Sequence, residues 1–591
     1  MNYPKIGIRP TIDGRQGGVR ESLEQQTLDM ARRAKELIES SLYYMDGTPV
    51  QCVLPEQTIG GYADASFVDD DFARQDVVAT LTVTPCWCYG TETIDLRPDT
   101  FKAIWGFNGT ERPGAVYLAA AMSGYAQKGI PAYKIYGEQV QDSDDKSIPA
   151  DVQEKILLFA RASVAAGEMK NKSYVNIGAS SMGIAGSQIN QTFFEKYLGM
   201  QVEYVDMTEV LRRIELNIFD PKEYDTIRTW IKQYCQEGID INAGKSFPEV
   251  ITKSRYIAEE DQWDFIAKQT LIVRDLLFGN PELAKLGWLE EAKGRNAIAG
   301  GFQGQRQWTD WLPNGDFMES ILTSTFDWNG PKQPVSFATE NDTCNAAAML
   351  FGSLLTNKAP IFSDVRTYWS AESVERITGH KLTGKAQHGL IHLLNSGASA
   401  LDGSGGSIDH EGNPTMKEFW NMTKTDIQAC LEKTKWCRAN YEYFRGGGFS
   451  SQYHLQAELP LTLIRLNIVE GVGPTLQVAE GYSCALPDEV HDILNERTDQ
   501  TWPWFAPNLG EKGFEDVYTM MNHWGSNHGA SVHGHVGAEL LTLASMLRIP
   551  VSLHNVPSEK IFRPHAFSGF GTKDLEAADF NACQSFGPFY K

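Results

Sequence analysis

Short β-branched runs alternate with amphipathic stretches over about the first 360 residues, and this alternation constrains the fold more than any other feature of the chain. Lys5–Ile8, Val50–Leu54 and Val77–Val83 read as strands, while Ser22–Leu42, Ala115–Gln127 and Ala150–Glu168 repeat apolar residues at helical spacing. Strands that alternate with helices return to a parallel sheet covered on both faces. The pattern breaks at Met169–Lys172 and restarts with strand Ser173–Ile177, helix Gln191–Tyr197 and strand Val202–Val205. Two units are therefore expected, over residues 1–170 and 171–352. Beyond 353 the chain changes character. Leu461–Ile468, Thr475–Ala479 and Val551–His554 are strand-like, with glycine-rich turns at Gly403–Gly406 and Gly446–Gly448. The expected fold is α/β: two N-terminal Rossmann-like domains with mainly parallel sheets, then a β-rich C-terminal domain over 353–591.

Several function classes are excluded early. With 53 basic and 75 acidic side chains the formal charge is −22, which argues against a nucleic-acid partner. No apolar run approaches the roughly 18 residues of a membrane span, so no membrane partner is expected. Met1–Pro10 has no apolar signal-peptide core, and nine irregularly spaced cysteines suit reduced thiols, so the expected location is cytoplasmic. No nucleophile elbow or dinucleotide fingerprint is present, and Gly244-Lys245-Ser246 lacks the glycine that a phosphate loop needs in register. Cys86-Trp87-Cys88 is too tightly spaced for a zinc knuckle and reads as two buried thiols at a strand end.

All twelve histidines lie between His380 and His565, so any imidazole in a site must come from the last third of the chain. His388 and His392 fall in an alternating stretch that reads as strand, which weakens them as a ligand pair. His523, His528, His533 and His535 share a segment rich in glycine and asparagine and are better ligand candidates. The carboxylates are more informative. Val335–Thr339 reads as a strand ending in Glu340, Asp342 and Thr343 as N-caps of an apolar helix Asn345–Leu355, and Pro360–Ser363 as a second strand ending in Asp364. If these strands are parallel neighbours, about 4.8 Å apart, both carboxylates reach one ion. The alternative pairs Asp364 with Arg366 and leaves Glu340 a solvated loop acid. With a histidine added, the donor set suits Mn²⁺ or Mg²⁺ better than a thiolate zinc site.

Thr84–Gly90 (TPCWCYG), Trp105–Gly114 (WGFNGTERPG), Gly301–Arg306 (GFQGQR), Ala338–Asp342 (ATEND), Tyr443–Gly448 (YFRGGG) and Asn527–Gly529 (NHG) together resemble the bacterial L-fucose isomerase family, and the similarity runs from Arg9–Asp13 to Gly587–Tyr590. The resemblance implies an aldose–ketose isomerase acting on L-fucose and D-arabinose, dependent on Mn²⁺ (with Mg²⁺ or Co²⁺ as substitutes) and assembled as a homohexamer. It places the metal ligands on Glu340, Asp364 and His528, with Glu340 and Asp364 catalytic, and substrate contacts on Arg15, Trp87, Gln303, Tyr443 and Asn527. His533 matches no family motif. Ser181-Met182-Gly183 is a candidate loop for reaching a neighbouring subunit. An isomerase of another aldose such as L-arabinose, or a non-catalytic sugar binder, remain alternatives, and a hydride shift is the mechanistic rival to proton transfer through an enediol.

Overall fold

The computed structural model describes residues 3–394, 397–484, 486–497, 501–510, 514–569 and 575–590. Strands β1 (Lys5–Pro10), β2 (Cys52–Val53), β3 (Val77–Thr84), β4 (Phe101–Gly106) and β5 (Tyr133–Ile135) form one parallel sheet in the order β2-β1-β3-β4-β5. All eight residues of β3 are buried, as a strand covered on both faces requires. One cover is α1 (Val19–Ser41), which buries Leu23, Thr27, Met30, Ala31, Ala34 and Ile38 on a single stripe; another is α2 (Ala150–Met169). A second parallel sheet comprises β6 (Ser173–Ile177), β7 (Gln201–Val205), β8 (Ala297–Phe302) and β9 (Ser336–Ala338), in the order β9-β8-β6-β7.

The C-terminal third is built on a closed antiparallel barrel. Its strands are β10 (Ile361–Trp369), β11 (Leu390–Leu394), β12 (Pro460–Val469), β13 (Gly473–Ser483), β14 (Thr501–Pro507) and β15 (His528–His533), running β12-β15-β10-β11-β14-β13 and back to β12. A short parallel strand, β16 (Val551–Leu553), attaches to β13. Both α/β units and the β-rich character of the last third thus follow the sequence pattern. Among the described residues no helix is long and apolar enough to cross a membrane.

The expected parallel pairing of the strands around Glu340 and Asp364 is not found. β9 belongs to the second sheet, whereas β10 lies in the barrel between β15 and β11. Two helices flank β9: α3 (Asp316–Thr323) precedes it, and α4 (Thr343–Thr356) joins it to β10. The physical reason lies in α4, in which every residue from Thr343 to Leu355 is buried. A helix that covers one face of a sheet keeps a polar side for solvent; one apolar all round must be enclosed. α4 is accordingly a layer between sheet and barrel. Each large apolar side chain buried there contributes roughly 1.5–3 kcal/mol. The fit against the barrel is close: a Cβ at Gly352 would come within 2.4 Å of Val532 on β15. The helix also runs unbroken through 352/353, so a domain division drawn there cuts an α-helix.

Candidate active site

The site forms where the second sheet, α4 and the barrel meet. Glu340 follows β9 and adopts φ 58°, and Asn341 beside it φ 53°. Two consecutive non-glycine residues in the left-handed region cost on the order of 1–2 kcal/mol each. Asn341 holds the turn. Its Oδ1 accepts from Tyr174 Oη at 2.9 Å, its Nδ2 donates to Asn176 Oδ1 at 2.7 Å, and its carbonyl accepts from Gln188 Nε2 at 2.6 Å. The turn needs a glycine on β8, because a Cβ at Gly301 would lie 2.5 Å from both Asn341 Oδ1 and Tyr174 Oη.

Asp364 and His528 are directly opposite residues on β10 and β15. The barrel ladder therefore sets their spacing. Glu340 faces them from the other sheet: His528 Nε2 lies 3.2 Å from Glu340 Oε2 and 3.3 Å from Asp364 Oδ1. His528 Nδ1 lies 2.6 Å from Asp342 Oδ2, which also accepts from Arg465 Nη1 at 2.7 Å. The other oxygen of Asp342 caps α4, accepting from Asn345 N at 3.0 Å, as its sequence position suggested.

The cluster sets three carboxyl groups against one guanidinium and one imidazole. Burial opposes charge on His528, but Asp342, Asp364 and Glu340 outweigh it and hold the imidazole pKa well above its usual value. For Glu340 the balance runs the other way: burial pushes its carboxyl up despite the pull of His528. Burial also opposes charge on Asp342, yet Arg465 and His528 keep its carboxyl below the ordinary range. On α3, burial pushes Asp316 up to about 7, and burial with the neighbouring Asp316 raises Glu319 well above its usual value. Glu319 accepts from Thr339 Oγ1 at 3.0 Å, immediately before Glu340.

The donors fit a hard divalent ion. Two carboxylates and an imidazole supply oxygen and nitrogen ligands, and the buried Asp364 Oδ1 has only the 3.3 Å contact with His528 Nε2. Donors about 3 Å apart are what an ion with bonds of about 2.1 Å gathers around itself. Among the described residues no group of three or more His, Cys, Asp or Glu side chains is already arranged to hold a metal ion. Here the Nε2 side of the imidazole faces both carboxylates, so Glu340, Asp364 and His528 are the residues that would hold such an ion.

The other expected contacts divide into two groups. Gln303 stands at the carboxyl end of β8, beside the end of β9; its Oε1 accepts from Ala179 N at 3.0 Å and its Nε2 donates to Gln307 at 2.9 Å. Asn527 adjoins His528, and its carbonyl accepts from Val365 N at 2.7 Å. Arg15 and Trp87 follow the neighbouring strands β1 and β3 of the first sheet; Arg15 pairs with Asp13 at 2.5 Å, and Trp87 is partly exposed. Tyr443 is exposed in a loop. Among the described residues no hydrogen bond or ion pair joins Arg15, Trp87 or Tyr443 to the Glu340–Asp364–His528 cluster. Of the other clustered histidines, His533 lies 2.9 Å from Lys358 and His535 2.9 Å from the Gly481 carbonyl. Cys86 and Cys88 are buried free thiols.

Sequence reasoning missed Arg465 and the second role of Asp342. A lone arginine inside the apolar strand Leu461–Ile468 was the available signal. A buried arginine requires an acid, and Asp342 is that acid.

Comparison with known proteins covers nearly the whole chain. Protein-family models described as the first N-terminal, second N-terminal and C-terminal domains of L-fucose isomerase match residues 3–171, 172–357 and 393–555. The chain is 70% identical over 591 residues to a Clostridium perfringens protein named L-fucose isomerase, covering 100% of this chain and 99% of that protein. It is 55% identical to the Bacteroides thetaiotaomicron protein of that name and 54% identical to the Streptococcus pneumoniae one, in each case over 100% of both chains.

Proposed function

We propose, from the premise that this chain belongs to the L-fucose isomerase family and is an aldose–ketose isomerase, that it converts L-fucose to L-fuculose and D-arabinose to D-ribulose at the Glu340–Asp364–His528 cluster. The observation that carries the site assignment is the pair of carboxylates placed 3.2 and 3.3 Å from one imidazole nitrogen. Glu340, Asp364 and His528 would hold Mn²⁺, with Mg²⁺ or Co²⁺ as substitutes, and the ion would supply Lewis-acid polarisation of the sugar's first two oxygens.

Isomerisation moves a hydrogen between C2 and C1 and a proton between O1 and O2. A free carboxylate is too weak a base for the C2–H bond, so the site must stabilise the charge that develops on oxygen. Glu340 and Asp364 approach from different sheets, which lets one take the carbon-bound proton while the other serves the oxygens, with roles exchanged in reverse. Asp342 holds His528 in one orientation. Gln303, fixed at the sheet end, and Asn527, beside His528, are suited to bind hydroxyls. Arg15 and Trp87 offer a cation and a flat apolar face at the end of the first sheet, and Tyr443 offers an exposed ring.

L-Fucose and D-arabinose share their configuration at C2, C3 and C4 and differ by a methyl group at C5, a difference worth about 1–3 kcal/mol in a pocket. Both are therefore substrates, with kcat/KM values within roughly a few hundredfold of each other. The test is ketose formation from a panel of aldoses after chelation, with Mn²⁺ added back; failure on both sugars with Mn²⁺ present overturns the reading. The assembly proposed is a cytoplasmic homohexamer, its interfaces apolar enough to outweigh the −22 charge, with exposed Met182 in the Ser181–Gly183 loop as a contact between subunits. Light scattering that shows an active monomer at micromolar concentration refutes it.

A further inference from the structure

Arg465 lies within barrel strand β12 and is 1% exposed, between Ile464 and Leu466, both fully buried. A guanidinium is not kept in such surroundings without partners. Nη1 donates to Asp342 Oδ2 at 2.7 Å, Nη2 to the Gly186 carbonyl at 3.3 Å, and Nε to Asn467 Oδ1 at 3.3 Å. The Asp342 oxygen that receives Arg465 also faces His528 Nδ1 at 2.6 Å, while the other caps α4. Asp342 is thus held by a barrel strand, a helix end and the imidazole together. As a carboxylate it can only accept, so the proton of that contact sits on Nδ1, and Nε2 is the nitrogen presented to Glu340 and Asp364.

We propose that Arg465 is a positioning residue for metal binding: it fixes Asp342, and through it the tautomer and ring orientation of His528, and its bond to Gly186 ties this arrangement to the Ala179–Gln188 loop of the second sheet. The loop is anchored to the same turn from its other side, by Gln188 on the Asn341 carbonyl and by Thr343 Oγ1, which donates to the Ser187 carbonyl at 2.9 Å. Nothing in the isomerisation chemistry requires an arginine here, and a purely apolar strand would satisfy the barrel. The inference rests on the reading of His528 as a metal ligand.

The test is calorimetric titration of chelator-stripped full-length protein with MnCl₂, alongside thermal melting in EDTA. Asp342→Asn keeps an oxygen to cap α4, since asparagine is as good an N-cap as aspartate. Its amide can donate to Nδ1 and so place the imidazole proton on Nε2. Mn²⁺ affinity should fall 10–100-fold in Asp342→Asn and in Arg465→Met, the range typical when a ligand's supporting partner is lost. Arg465→Lys should recover part of it, and the double variant should be no weaker than the weaker single one, because both changes act on one ring. Arg465→Met binding Mn²⁺ within twofold of wild type, even with a lowered melting temperature, would show a merely structural role and overturn the inference. Should Arg465→Met not fold, unchanged Mn²⁺ affinity in Arg465→Lys and Asp342→Asn overturns it equally. His528→Ala separates the premise from the inference: wild-type Mn²⁺ affinity there removes the ligand assignment itself, whereas its loss there with no loss in the Arg465 and Asp342 variants removes only the positioning role.

Discussion

Replacing Gly301 by alanine tests whether the strained turn at Glu340 is set by the surface beneath it. The added Cβ would lie 2.5 Å from Asn341 Oδ1, 2.5 Å from Tyr174 Oη and 3.0 Å from Asn341 Cα, where ordinary contact begins at 3.4 Å. Both oxygens must retreat by roughly 0.9 Å, the shortfall between those two distances, and they are partners in one 2.9 Å hydrogen bond. Overpacking of this kind costs about 1–3 kcal/mol, and a buried tyrosine hydroxyl left unpaired adds about 1–3 kcal/mol more. The sharper effect is on catalysis. Asn341 and Glu340 share the left-handed turn, so displacing one displaces the other, and a shift of about 1 Å in a positioned group costs on the order of 100-fold in rate. Gly301→Ala should therefore fold with reduced stability and lose roughly 10–100-fold in kcat, read from initial rates of ketose formation at saturating sugar and Mn²⁺. Wild-type kcat in a destabilised Gly301→Ala would refute the link between the turn and the carboxylate.

On the proposed roles, Glu340→Gln and Asp364→Asn should each abolish turnover while leaving the circular dichroism spectrum unchanged, since either would remove a ligand and an acid/base group together; near-wild-type activity at saturating Mn²⁺ in either variant contradicts the assignment. In D₂O, deuterium should enter C1 of the ketose, and C2 of the aldose in reverse, because a proton held on a carboxyl exchanges with solvent; complete retention of the substrate hydrogen in both directions favours a hydride shift. Burial pushes Glu168 up to about 8, while its backbone partner Met45 N lies 2.9 Å away and would serve a glutamine equally well. A folded-state pKa above the unfolded one gives stability that is complete below the unfolded pKa, near 4.5, and lost as pH rises to about 8. Glu168→Gln should thus gain on wild type by about 1.4 kcal/mol per pH unit across that window, measured as the difference in urea unfolding free energies, and a pH-independent difference rules it out.

The sequence showed the layers of the molecule better than their contacts. Runs such as Val77–Val83 and Ser173–Ile177 identify buried parallel strands because full burial leaves no polar alternation to confuse. Ile361–Asp364 carries the same local signal whether its partners are parallel or antiparallel, and its assignment failed there: what decides the sheet is the pairing with His528–Ser531, more than 160 residues away. The run Ala346–Gly352 of α4, apolar on every face, was the available clue that two layers, not one, would enclose it. Glu340 and Asp364 stood out together in the sequence as carboxylates that follow apolar runs, whereas His528 was one of four clustered histidines and was singled out only by the family resemblance; Asp364 lies within β10 rather than at its end. The left-handed backbone at Glu340 and Asn341 was not legible, since neither residue is glycine and the hydrogen bonds that hold the turn come from Tyr174, Asn176 and Gln188.

The opposition of Asp364 and His528 across β10 and β15 has a bearing on how the protein acquires activity. Side chains alternate between the faces of a strand, so sliding β15 by one residue against β10 would turn His528 away from Glu340 while leaving most of the backbone ladder intact. A closed barrel has no free edge along which such an error could relax, since every strand's register is tied to that of its neighbours. Misthreaded molecules would retain native-like β content and lose the juxtaposition of His528 with Glu340 and Asp364. On the proposed ligand set, the fraction of refolded chains able to bind Mn²⁺ would count those whose barrel closed in the correct register.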